Sequence, residues 1–164
     1  MIVAVDFDGT CVTHEYPRVG KEIGAHYVLK LLVANGHKII LNTMRGGDDL
    51  LPALEWFEKY GIDLYGVNEN PTQKEWTESK KAYAHLYIDD AAFGCPLLHV
   101  PGTRPFVNWT EVVRTLGEQY MAFPHLSGWK SLDEVTDAIR REVADTCNSI
   151  FDNAIMNYPQ TKDL

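Results

Sequence analysis

The chain has 164 residues, 45% of them hydrophobic and 23% charged. That suits one compact domain with its own core and excludes a disordered chain. Ordinary Gly and Pro contents exclude a collagen-like chain, and Cys11, Cys95 and Cys147, far apart and without a CxxC pair, exclude a disulfide scaffold. Lys plus Arg total 15 against 23 for Asp plus Glu, a formal net charge of -8 that repels phosphate backbones and argues against a nucleic-acid partner. No apolar run approaches the roughly 20 residues that cross a bilayer. The opening MIVAVDFDGT has acids where a signal peptide carries basic residues. A cytoplasmic protein without membrane association is the expectation.

Ile2 to Val5 is short, apolar and β-branched and ends at a polar turn, as a buried strand does. Gly20 to Asn35 carries Ile23, Tyr27, Val28, Leu31 and Leu32 at helical spacing, with Gly36 as its stop. Lys38 to Leu41 reads as a second strand. Asp48 to Tyr60 reads as a second helix, with Pro52 near its first turn and Gly61 after it. Leu64 to Val67 is a third strand, and Lys74 to Ala84 is weakly helical. Leu86 to Ile88 is the fourth strand and Leu97 to Val100 the fifth. Asn108 to Glu111 resembles an N-cap with a Glu three residues on, opening a helix to about Leu116. Strands alternating with helices predict an α/β, three-layer Rossmann-like fold: a parallel sheet of about five strands covered on both faces, with its strand C-termini on one edge.

The composition shifts near Gly117. Residues 1–117 are expected to form the catalytic domain and residues 118–164 an extension. Within it, Glu118 to Lys130 reads as an irregular packing linker. Ser131 to Glu134 is a capping box that opens a long helix. Its stripe of Leu132, Val135, Ile139, Val143, Cys147, Ile150 and Ala154 can pack on the domain itself or form a homo-oligomer contact.

The acids fall where such a sheet binds ligands. Asp6 and Asp8 straddle the end of the first strand, Thr43 follows the second, and Asp89 and Asp90 end the fourth. Four carboxylates on one edge cannot all stay ionised without a cation. Mg²⁺ suits them, because it prefers oxygen ligands and pairs one or two carboxylates with a substrate phosphate. The six histidines show no HxxxH spacing for zinc, and no GxGxxG or GxxxxGK[ST] is present. Cys11 reads as a small buried filler, and Trp56 and Trp76 as packing residues.

DFDGT (Asp6 to Thr10), Thr43 in LNT, a Lys in SKKAYAHLYIDD and the pair Asp89-Asp90 together resemble the haloacid dehalogenase superfamily. The chain is most similar to the small, minimally capped phosphatase-like members. The resemblance covers about residues 1–117. It implies a Mg²⁺-dependent phosphomonoesterase acting on a small phosphorylated substrate. Asp6 would be the nucleophile that forms an aspartyl-phosphate, and Asp8 the general acid and base, with its main-chain carbonyl also on the metal. Thr43 would bind a phosphoryl oxygen. Lys81, or Lys80 as the alternate, would neutralise charge on the transferred group. Asp89 and Asp90 would complete the metal set. Phe7, Gly9, Asn42, Arg45 and Asn68 are the phosphate- and substrate-side candidates, with the Phe7 side chain itself turned into the core. Arg45 could fork onto a second anionic group or pair with Asp48 or Asp49 at the surface. Cys11 to Gly20 stands where the superfamily places a turn-and-hairpin flap, too short for a cap domain, so an open site is expected. His14, Tyr16 and Arg18 on that flap, and Asn70 after the third strand, are further substrate-side candidates. Two other readings of the same residues are a phosphotransferase or receiver-like phosphoacceptor, and an assembly protein on a scaffold without catalysis.

Overall fold

The computed structural model describes residues 1–156. Four short apolar runs pair in parallel: β1 (Ile2–Val5), β2 (Lys38–Leu41), β3 (Leu64–Val67) and β4 (Leu86–Ile88). Their order in the sheet is β3-β2-β1-β4. The chain therefore builds outward from β1 through β2 to β3, then crosses to the other side of β1. The reversal point lies between the C-terminal ends of β1 and β4, where open parallel sheets bind ligands. Register sets the level at which the strand ends release the chain: Val5 pairs with Leu41 on one side and Ile88 on the other. Asp6, Asn42 and Asp89 thus leave the sheet side by side.

The helices form where the apolar spacing placed them, with shifted ends. α1 spans Ala25–Ala34, shorter than the expected Gly20 to Asn35. Residues before it return from the flap, and Gly24 turns in the left-handed region at φ 87°. Gly36, at φ 74°, stops the helix, with its N–H bonded to Val33 O and that of His37 to Leu32 O. α2 spans Leu51–Lys59 after a 3-10 turn at Gly47–Leu50. Val3, Val5, Ile39 and Leu41 on one sheet face join the buried side chains of both helices in the main core.

Three expectations about layers are corrected. Leu97 to Val100 does not extend the parallel sheet. Its β5 (Leu97–Leu98) pairs antiparallel with β6 (Phe106–Val107), a strand the sequence reading missed. The connection from β4, residues 89–96, is too short for the dozen or more residues a parallel crossover needs. Lys74 to Ala84 holds no α-helix, only a 3-10 turn at Gln73–Glu75. The Gln73 side chain explains it: Nε2 donates to Ser79 O and Lys81 O, and Oε1 accepts from Tyr83 N–H. Those bonds offer the backbone an alternative to the helix ladder. The second sheet face is therefore not under a helical layer. Ala4 and Ile40 meet Ala84 there in a small separate cluster, flanked by Ile2 and Tyr65. Trp76, expected to pack, is 60% exposed.

α3 (Trp109–Tyr120) and α4 (Leu132–Met156) complete the main core. α3 runs past the expected end at Leu116, so the expected boundary at residue 117 falls inside it. Asn108 is its N-cap residue without a side-chain cap bond. α4 opens as expected: Ser131 Oγ accepts from Glu134 N–H at 3.2 Å. Val135 and Ile139 of its stripe are fully buried in the same cluster as β1 and α1. Leu132, Val135, Ile139 and Val143 of the stripe therefore pack on the domain. The side chain of Ala154, its last member, and residues 157–164 lie outside what the structure describes. Among the described residues no helix is long and apolar enough to cross a membrane.

Candidate active site

The Asp6–Thr10 turn is held from several sides. Asp6 N–H donates to Ile88 O at 3.0 Å, continuing the β1–β4 ladder by one step. Phe7 O accepts from Cys11 N–H at 2.8 Å, and Gly9 N–H donates to Val12 O at 2.8 Å. The Phe7 ring is fully buried, edge-on to Trp56 at 5.8 Å between centroids. The expectation for that ring holds, and it serves the site only as an anchor. Gly9 sits at φ 83°, where other residues are strained, and a Cβ there would collide with the Asp90 carboxylate. The β5–β6 unit and α3 grip the outside of the turn: Val107 N–H donates to Gly9 O at 2.9 Å, and Trp109 Nε1–H to Thr10 O at 2.7 Å. Cys11 is fully buried with its thiol against Asp6 O, as a filler residue should be.

Asp6, Asp89 and Asp90 each bring a carboxylate oxygen within 4.8 Å of the others. Thr10 ties the two strand ends together. Its Oγ1 accepts from Asp90 N–H at 3.0 Å and donates to Asp6 Oδ2 at 3.5 Å. Burial first, and then the charges of Asp89, Asp90 and Asp8, push the Asp6 carboxyl up to about 7 against the hydrogen bond from Phe7 N–H. Burial and Asp89 raise Asp90 as well. Three hard oxygen donors crowded together against their mutual repulsion fit a divalent cation such as Mg²⁺.

Asp8 does not join that cluster. Arg45 grips it with two parallel bonds, Nε to Oδ2 and Nη2 to Oδ1, both 2.7 Å. Arg45 is itself only 2% exposed. Its remaining N–H groups donate to Pro17 O, Asp49 O and Arg18 O. All five donors are thus used inside the protein. Neither expectation for Arg45 holds: it has no donor for a substrate, and it meets Asp49 through the main chain rather than the carboxylate. It instead pins the flap to the sheet.

Thr43 lies at the cleft, 8% exposed, with Oγ1 accepting from Arg45 N–H at 3.2 Å. Asn68, at φ 53°, accepts from Thr43 N–H at 2.7 Å. It positions Thr43 and does not line the cleft with the acids; it lines a neighbouring pocket with Asn70 and Lys80. Asn42 extends β2 through its N–H to Val5 O and is likewise absent from the cleft wall. Lys81 and Lys80 are also not brought to the acids. Both are exposed, and the Lys81 ammonium lies over the Tyr87 ring at 5.4 Å.

The cleft over the carboxylates has a volume of about 480 Å³. Besides Asp6, Asp8, Asp89, Asp90 and Thr43 its walls include His14 and Tyr16 of the flap, the fully exposed Met44, and Arg104. Arg18 contributes only its carbonyl, to Arg45. Arg104 was missed by sequence reasoning. It stands in the turn between β5 and β6, with no periodicity or motif around it.

No protein-family model and no curated protein matches this chain. Among solved structures, a conserved protein coded by a locus of Bacteroides thetaiotaomicron is similar, at 37% identity and a TM-score of 0.60. The match covers 73% of this chain and 91% of that one. The chain belongs to that protein's family. The family relation extends over nearly all of the Bacteroides protein, which is described as conserved without a named activity.

Proposed function

We propose that this protein is a divalent-metal-dependent phosphoric monoester hydrolase of the haloacid dehalogenase type, with Asp6 as nucleophile. The observation that carries the reading is the convergence of Asp6, Asp89 and Asp90 at the β1–β4 switch point, with Thr43 on the same cleft. These acids come from two strand ends far apart in sequence, in the residue types and order that the resemblance requires.

Asp6, Asp89 and Asp90 would hold the ion. Bound there, Mg²⁺ supplies the positive charge that lets an anionic carboxylate meet an anionic phosphate. Asp6 attacks phosphorus: a carboxylate O–P bond forms, the ester P–O bond breaks, and an aspartyl-phosphate results. Water then attacks phosphorus and releases phosphate, restoring the carboxylate. The Thr43 hydroxyl, whose oxygen already accepts from Arg45 N–H, has its proton to give to a phosphoryl oxygen. Gly9 keeps the turn tight against Asp90. The leaving oxygen needs a proton, and the resemblance assigns it to Asp8. With both oxygens in the Arg45 fork, Asp8 is an acceptor, so donating a proton requires that fork to open.

The test is turnover of p-nitrophenyl phosphate with Mg²⁺ and with EDTA. The reading expects hydrolysis that EDTA abolishes and that Asp6→Asn reduces by at least about 1,000-fold, the scale of losing a covalent nucleophile. Absence of metal-dependent turnover in the wild type, or full activity in Asp6→Asn, overturns it.

A further inference from the structure

We propose that Arg104, bridged to His14 across the mouth of the cleft, is the residue that binds the phosphoryl group of the substrate; this rests on the phosphatase reading above. A phosphate dianion approaching Asp6, Asp89 and Asp90 meets like charge, and even a divalent cation leaves three carboxylates only partly neutralised. A cationic side chain with donors to spare is required.

Arg45 cannot serve, because its five N–H groups are all bonded within the protein. The two lysines do not line the cleft. Arg104 does, and it is exposed there. Among the described residues its one hydrogen bond is from Nη1 to His14 Nε2, at 3.1 Å, and its charge also reaches Asp90. The other donors of its planar fork, the shape that matches two phosphoryl oxygens, are unused.

The position is built rather than incidental. The turn that carries Arg104 closes through Thr103 N–H to Val100 O. The same hairpin is bonded to the nucleophile turn through Val107 and Gly9. His14 adds a second observation. Arg104 can only donate, so His14 Nε2 is the acceptor and Nδ1 carries the proton. Nδ1 is buried and, among the described residues, has no hydrogen-bond partner. The bridge is therefore incompletely satisfied, and an anion that took Arg104's donors would release the imidazole from it.

The experiment measures inorganic phosphate binding by calorimetry, with and without Mg²⁺, beside p-nitrophenyl phosphate turnover. Arg104→Ala should weaken phosphate binding roughly 10- to 100-fold, the scale of one charge-assisted contact. It should raise KM similarly. Arg104→Lys should recover part of the affinity but not all, since an ammonium keeps charge and loses the fork. Circular dichroism checks folding of both, and Arg114→Ala, a surface ion-pair residue on α3, should change nothing. Unchanged phosphate affinity in Arg104→Ala overturns the inference, as does loss of affinity in Lys81→Ala alone. Phosphate binding that depends on Arg104 without any turnover keeps this inference and overturns the phosphatase reading instead.

Discussion

Arg45 and Asp8 form a two-point ion pair that lies beside the carboxylate cluster and not in it, with both bonds at 2.7 Å. The pair joins the end of β1 to the loop after β2, and the rest of the guanidinium holds the flap at Pro17 and Arg18. It is both a mechanical joint and a restraint on what Asp8 can do.

Removing one partner leaves an uncompensated buried charge, which costs about 3–5 kcal/mol. Arg45→Met should lose that much stability in urea titration. The combined Arg45→Met, Asp8→Asn protein should lose less than the two single losses added together. Strict additivity would show that the pair is not coupled.

Asp8→Asn also separates two roles. If Asp8 protonates the leaving oxygen, the variant should lose far more activity toward an alkyl phosphate than toward p-nitrophenyl phosphate, whose leaving group needs no proton. If Asp8 only anchors Arg45, both substrates should fall by one common factor. Steady-state rates on the two substrates decide between them.

Metal binding should appear as stability. An ion held by Asp6, Asp89 and Asp90 in the folded state alone adds about 2.7 kcal/mol at 100 times its Kd. Mg²⁺ should raise the melting temperature of the wild type by several degrees and that of Asp89→Asn by almost nothing. Equal shifts in both proteins would place the ion elsewhere.

A second group of ionisable residues lies between α1 and α4. His26 Nδ1 is 3.7 Å from Glu142 Oε2 and 4.0 Å from Glu22 Oε2. Burial, then the charge of Glu22, pushes the Glu142 carboxyl from 4.5 to about 7, while burial lowers His26 to about 4. A raised carboxyl stabilises the fold in its protonated form, so Glu142's contribution is full below pH 4.5 and is lost as pH climbs to about 7. Glu142→Gln should therefore be more stable than wild type at pH 8, by roughly 1–2 kcal/mol after allowing for its partial exposure. At pH 4 the two should melt together. A gain of the same size at both pH values would assign the effect to packing.

The packing of α4 is tested at Ile139. It is fully buried, and its methyl groups close over Gly24, where a Cβ would clash. Ile139→Ala should cost about 2–5 kcal/mol, within a single unfolding transition. An unaffected midpoint would mean that the helix is dispensable to the domain.

Much of the site was legible because short apolar runs locate strand ends, and parallel strands bring their ends to one edge. Asp6, Asp89, Asp90 and Thr43 followed from that logic alone. The pairing of Asp8 with Arg45 did not: they are separated by 36 intervening positions, and nothing in their local sequence shows that the loop after β2 folds back onto the first turn. Lys74 to Ala84 misled for a related reason. Its residues tolerate a helix, and only the placement of Gln73 under the segment decides that its carbonyls and N–H groups bond to a side chain instead. The missing fifth parallel strand could have been read from the short 89–96 connection. Local pattern alone determined the four parallel strands, most of the helices and the acidic edge, since each is a property of neighbouring residues. Tertiary structure alone decided which charges are tied up and which remain free. A donor is used up only by an acceptor that another part of the chain delivers, as Pro17 and Arg18 do for Arg45, while among the described residues Arg104 hydrogen-bonds to His14 alone.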